Sequence, residues 1–172
     1  MVLLATFQST WFSWSVNALS ELGVGEQATL FNCAMLIGGG LNFLFAHGLQ
    51  RYLGKERLIR AGIISILLSC VSLALVGVFT IDYHLSHGVA ALGYFMLTPT
   101  GFLLIGAGKK DSIIRKLSYV CGVAALIAIL GLPVIVLALP LRIGFAVPEL
   151  VEGLIISAWT INMSTRLLRH HR

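Results

Sequence analysis

Eleven of the twelve Lys and Arg residues fall in three short segments separated by long apolar runs, and few folds accommodate that pattern. The segments are 50–60 (Arg51, Lys55, Arg57, Arg60), 109–116 (Lys109, Lys110, Arg115, Lys116) and 166–172 (Arg166, Arg169, Arg172). Only Arg142 lies elsewhere. Short loops rich in Lys and Arg are retained on the cytoplasmic side of a membrane. Both basic loops and the C-terminus are therefore expected inside a cell membrane, in a multi-pass protein, with the alternate connections outside. Those outer connections carry Glu21, Glu26, Asp82, His84, His87, Glu149 and Glu152.

Composition supports the same class. Only 11% of the 172 residues are charged and 58% are hydrophobic, with a mean hydropathy of +0.93. A soluble domain carries roughly 25% charged residues, so these side chains cannot clothe a water-exposed surface. No polar stretch is long enough to fold separately, and one integral membrane domain over 1–172 is expected. The net charge of +5 is divided among loops, which argues against a nucleic-acid partner. Membrane lipids are the expected partners, at about 1 kcal/mol per basic residue near an anionic surface, and a homo-oligomer is open. Cys33, Cys70 and Cys121 lie in separate apolar runs without a CxxC, so neither a redox pair nor a zinc ribbon is indicated. No cofactor is called for, apart from a divalent metal considered below. The first fifteen residues lack the basic start and small-residue cleavage site of a removable signal peptide.

About 20 apolar residues are needed to cross a hydrocarbon core of roughly 30 Å. The pattern predicts an all-α bundle of six transmembrane helices, at about 1–15, 28–49, 58–80, 88–108, 117–139 and 147–168, with both termini cytoplasmic. The first is short, as it would also be if the true start lay upstream. Trp11 and Trp14 suit an interfacial aromatic belt at its outer end. Small residues in Gly38-Gly39-Gly40, Ser65-xxx-Ser69 and Ala124-xxx-Ala128 favour close helix approach. Pro99, between Thr98 and Thr100, removes a helix hydrogen bond in mid-span, which Ser or Thr hydroxyls can offset.

The residues able to carry chemistry gather at the outer ends. His84 and His87, three apart, could share a metal ion, with Asp82 or another carboxylate completing or orienting the set. Glu149 and Glu152 fall on one face of the last helix, and Asn17, Ser20 and Glu21 approach from the first outer loop. Arg142 is expected to pair with one of these acids. Glu152 lies more than a turn inside its helix, so it should face the bundle interior and need a partner. The expected cavity has Thr98, Pro99 and Thr100 as its floor and Glu21, Asp82, His84, His87, Glu149 and Glu152 around its rim.

Other signals are set aside. His47 belongs to the opposite end from His84 and His87, which argues against a bis-histidine haem. Gly106–Lys110 lacks the spacing of a phosphate loop, and the Asn162-Met163-Ser164 sequon is buried in an apolar helix. Asn32, Asn42 and Asn162 are expected to act as hydrogen-bonding glue between helices.

Residues 12–24, with the step Ser20-Glu21-Leu22-Gly23, resemble the signature after the first helix of the domain-of-unknown-function 998 (DUF998) membrane proteins. The resemblance continues through Phe31-Asn32, the His84/His87 region, Val147-Pro148-Glu149 and Trp159, and is nearest to the short archaeal-type members. It implies a six-helix bundle distantly similar to Frag-like and DRAM/Sfk proteins, and no established reaction. It also implies that Asn17, Ser20, Glu21, His84, His87 and Glu149 occupy a motif-bearing outer face. A lipid-related role follows by analogy only. The expected function is binding, and movement, of a lipid or other amphiphile. The alternatives are a metal-dependent membrane hydrolase with Glu21 or Glu149 as general base, and a structural or assembly protein.

Overall fold

The computed structural model describes residues 1–134 and 143–170, without the side chains of Ser112 and His170. Arg142, residues 135–139 of the expected fifth helix and the connection before 143 lie outside the described residues. Six α-helices and no strand are found among the described residues: α1 (Val2–Gln8), α2 (Ala28–Leu53), α3 (Arg57–Val78), α4 (His84–Gly108), α5 (Ser112–Leu126) and α6 (Ala146–His170). The helix of α5 continues through one π turn, Ile127–Gly131, to Val134. Short 3-10 turns, Leu19–Gly23 and Ile81–Tyr83, precede α2 and α4. Four helices, α2 to α5, are long and apolar enough to cross a membrane. Helix α6 is of similar length, and carries Glu149, Glu152, Arg166 and Arg169.

The bounds differ from expectation where side chains take over the backbone. Helix α1 stops at Gln8 rather than near 15, because Ser9 is already extended at φ −96°, ψ 96°. Beyond it, Asn17 Oδ1 accepts the Ser13 N–H (2.8 Å), and the Ser13 and Ser15 hydroxyls bond each other (2.9 Å). Such local bonds compete with the helical ladder. At about 1.5 Å per residue, seven residues cannot cross a bilayer. Helix α2 runs on to Leu53 because Ala46, Leu49 and Leu53 keep one buried face. Helix α4 begins at His84, four residues early, so both histidines stand in its first turn. Helix α5 begins at Ser112 because Asp111 caps it. Its Oδ1 accepts from the N–H groups of Ile113 (2.9 Å) and Ile114 (3.0 Å), and the bond from Ile114 foremost holds that carboxyl below its ordinary pKa.

The core follows from small residues meeting main chain. Helices α3 and α4 cross at a glycine pair: a Cβ on Gly62 would stand 2.7 Å from the Gly101 carbonyl oxygen, and one on Gly101 2.8 Å from that of Gly62. Beside it, the Ser65 hydroxyl donates to the Leu97 carbonyl at 2.7 Å, and Thr98 Oγ1 donates to Tyr94 O at 2.9 Å. These hydroxyls surround Pro99, which offers no N–H of its own. Below them Trp159 stacks on Phe102 (centroids 4.1 Å, 23°) and donates from Nε1 to Ser118 Oγ at 3.0 Å. An aromatic pair of this kind contributes about 0.5–1.5 kcal/mol beyond area burial. Of the three asparagines expected as glue, only Asn32 bonds another element among the described residues, through Nδ2 to Gly23 O (3.0 Å). Asn42 and Asn162 bond back within their own helices, to Gly38 O and Ala158 O. Amides facing lipid or a cleft find the i−4 carbonyl nearest.

Candidate functional site

The end of the bundle opposite the basic loops is closed by residues 9–27, and Glu21 holds that segment together. Its Oε1 accepts the Ala18 N–H (2.7 Å) and its Oε2 accepts Asn17 Nδ2 (2.6 Å). The first contact is half of a capping box, in which a carboxylate three residues on satisfies the N-cap amide. Leu22 is fully buried, and Gly23 presses against Asn32, where a Cβ would meet Oδ1 at 2.9 Å. The chain entering α6 docks on the same segment: Gly144 N–H bonds Trp14 O (2.8 Å) and Ala146 N–H bonds Asn17 O (3.0 Å). Gly144 is needed for this approach, since a Cβ would lie 2.6 Å from Asn17 O. Glu149, in the first turn of α6, accepts the Leu19 N–H on Oε2 at 2.6 Å.

Beneath this cap lies a cavity of about 330 Å³. Phe31, Ala34, Met35 and Gly38, at i, i+3, i+4 and i+7, give one wall from α2. Helix α6 faces it with Glu149, Leu150, Gly153, Leu154 and Ser157, and α4 contributes His87, Ala91, Tyr94 and Phe95. Leu73 and Val76 close the back from α3, and Val2, Leu19 and Ser20 the top. Leu154 and Ser157 are exposed while lining the cavity, so the space opens sideways along α6, on the side where α2 and α6 make little contact. Glu149, His87 and Ser20 are at one end, and the walls beyond them are apolar except for Tyr94 and Ser157.

His87 is 7% exposed, and its Nδ1 lies 2.7 Å from Phe79 O at the end of α3. A carbonyl only accepts, so Nδ1 donates there, and in the neutral ring Nε2 is an acceptor. That nitrogen has no partner among the described residues. Glu149 Oε1 and the Ser20 hydroxyl are likewise without partners among them.

Of the sequence-selected residues, the fold brings Ser20, His87 and Glu149 to the cavity. Asn17 and Glu21 are occupied by the cap. Asp82 and His84 are exposed and do not line the cavity. Thr98 lines a separate void of about 20 Å³ with Asn42, Ser69, Cys70 and Thr160, large enough for one water. Tyr94 and Leu73 border both spaces, so Tyr94 rather than Thr98 forms the cavity floor. Glu152 is fully buried, on an interior stripe with Ile156, Trp159 and Met163, and neither carboxyl oxygen has a partner among the described residues. The interior position matches expectation; the expected partner is not found there. An ionised carboxylate without one costs several kcal/mol in such a setting. No group of three or more His, Cys, Asp or Glu side chains suited to one metal ion occurs among the described residues.

The family model described as "Protein of unknown function (DUF998)" matches residues 1–166. The chain belongs to the DUF998 family. Comparison with curated proteins and with solved structures gives no match. In this DUF998 protein the residues that carried the resemblance divide by role. Glu21, Gly23 and Asn32 build the cap, Trp159 anchors α6, and Ser20, His87 and Glu149 face the cavity.

Sequence reasoning missed Tyr94, Gly153 and Ser157. Tyr94 follows His87 by seven residues and so shares its helix face, and Gly153 follows Glu149 by four. Both spacings were visible, but an apolar background gives them no contrast.

Proposed function

We propose that this DUF998 protein binds a single-chain amphiphile or one chain of a lipid, and passes it between the cavity and the surrounding bilayer. The supporting observation is the cavity itself, with Glu149, His87 and Ser20 at one end, mostly apolar walls and a sideways opening beside α6. At about 330 Å³ it stands near the lower end of ligand pockets, which run roughly 300–1,000 Å³. That volume suits a headgroup and part of a chain, with the remainder lying in the opening. The positive-inside bias would put the basic loops and the C-terminus in the cytoplasm of the cell and the cavity mouth in the outer leaflet.

A metal-dependent hydrolase on His84 and His87 has less support. Only His87 lines the cavity, and its Nδ1 is already bonded to Phe79.

Gly153→Leu is the test. A Cβ there meets nothing within 4 Å, and the residue lines the cavity, so a larger side chain takes up cavity space. The protein, extracted gently and weighed by native mass spectrometry, should retain amphiphile as wild type and lose it as Gly153→Leu, at unchanged thermal stability. Equal retention by both would defeat the proposal.

A further inference from the structure

We propose that the ligand of this cavity is an amphiphile bearing a primary amine, its ammonium seated against Glu149, His87 and Ser20. This rests on the amphiphile reading above and narrows it to a chemical class.

The argument begins with where selectivity can arise. A chain leaving bilayer for an apolar cavity exchanges one apolar medium for another, so the walls select little. The polar end must discriminate. There Glu149 Oε1, the Ser20 hydroxyl oxygen and, in the neutral ring, Nε2 of His87 can accept hydrogen bonds, and none has a partner among the described residues. In the neutral ring the Phe79 carbonyl selects the tautomer, because it engages Nδ1–H and leaves Nε2 as the acceptor. His87 as a whole is more than nine-tenths buried.

Charge points the same way. Among the described residues no Lys or Arg lines the cavity, and the basic residues of α2 to α6 stand at the far end of the bundle. A carboxylate or phosphate headgroup would meet Glu149 with no Lys or Arg beside it to offset the repulsion. An alcohol supplies one donor. A primary ammonium supplies three donors and the compensating charge, and its bond to a carboxylate is charge-assisted, roughly twice as strong as a neutral one.

The probes are dodecylamine, dodecanol and dodecanoate, which share a chain length and differ in headgroup. Each is titrated into the full-length protein in phosphatidylcholine nanodiscs, as wild type, Glu149→Gln, Ser20→Ala and Gly153→Leu. Gln at 149 keeps an oxygen for the Leu19 N–H, and the Ser20 hydroxyl makes no hydrogen bond among the described residues. The expected result is dodecylamine bound at least 10-fold more tightly than the other two by wild type. Glu149→Gln should abolish that preference without weakening dodecanol, and Ser20→Ala should weaken the amine several-fold. Comparable binding of all three probes, or a preference that survives Glu149→Gln, overturns the amine assignment; loss of that binding in Gly153→Leu leaves the amphiphile reading standing. If wild type binds none, or Gly153→Leu binds as wild type does, the amphiphile reading falls and the amine assignment with it.

Discussion

Helices α3 and α4 meet at glycines, and the cavity walls contributed by α2 and α6 each carry a glycine too, yet the first pair closes and the second stays open. At Gly62 and Gly101 the absent side chain is replaced by the neighbour's main chain. At Gly38 and Gly153 it is replaced by cavity: a Cβ on Gly38 has only Leu73 Cδ2 at 3.8 Å, and one on Gly153 has no neighbour. The same residue type thus serves two purposes. In a bilayer, where helix association depends on packing rather than expulsion of water, a glycine that lines a cavity and faces nothing marks space that a well-packed core would have filled.

The contrast breaks most forcefully at the closed crossing. Gly62→Leu should destabilise the protein by more than about 3 kcal/mol, above the roughly 1–3 kcal/mol of ordinary overpacking, because a backbone oxygen cannot turn aside. Loss of the folded fraction in an SDS-unfolding titration from mild detergent measures it. A second close approach joins α2 to α3, where a Cβ on Gly39 would meet Cys70 O at 2.7 Å and the Ala74 N at 3.0 Å. Gly39→Ala should cost about 1–3 kcal/mol in the same titration. Ser65→Ala removes the hydroxyl bond to Leu97 O while leaving the glycine crossing intact. Its cost should be near the 0.6 kcal/mol average for such bonds in membrane proteins, and under about 1.7 kcal/mol. A larger loss would mean that the polar bond, rather than the glycine pair, fastens α3 to α4.

Much of this architecture was legible as sequence because the bilayer imposes length and charge rules. The α2 to α5 runs and the single-sided basic loops follow from those rules directly. Local polar chemistry was less legible. Helix α1 was expected to reach about residue 15, and ends at Gln8 because Ser13 and Asn17 divert the backbone. For the site, composition could assign residues to an end of the bundle but not to its inside. Glu21, His84 and Asp82 all read as rim groups; Glu21 is spent on capping amides, while His84 and Asp82 face outward. His87 differs from His84 by three residues and one carbonyl, that of Phe79, which no periodicity encodes. Three adjacent glycines, Gly38-Gly39-Gly40, read as one packing motif, and only the middle one packs.

That triplet gives the smallest expected effect and the closest control on the comparison. Gly38 and Gly39 share a helix turn, a neighbouring environment and the same intrinsic preference, so propensity cannot separate them. Alanine favours a helix interior over glycine by up to about 1 kcal/mol, and at Gly38 no contact opposes that gain. Gly38→Ala should therefore be neutral or stabilising by up to about 1 kcal/mol, while Gly39→Ala is destabilising in the same titration. If both substitutions destabilise alike, α2 packs against something at Gly38, and the open wall is closed in the membrane. If Gly38→Ala is neutral and Gly38→Leu also displaces bound amphiphile, as Gly153→Leu should, the two glycines face the same space from opposite helices.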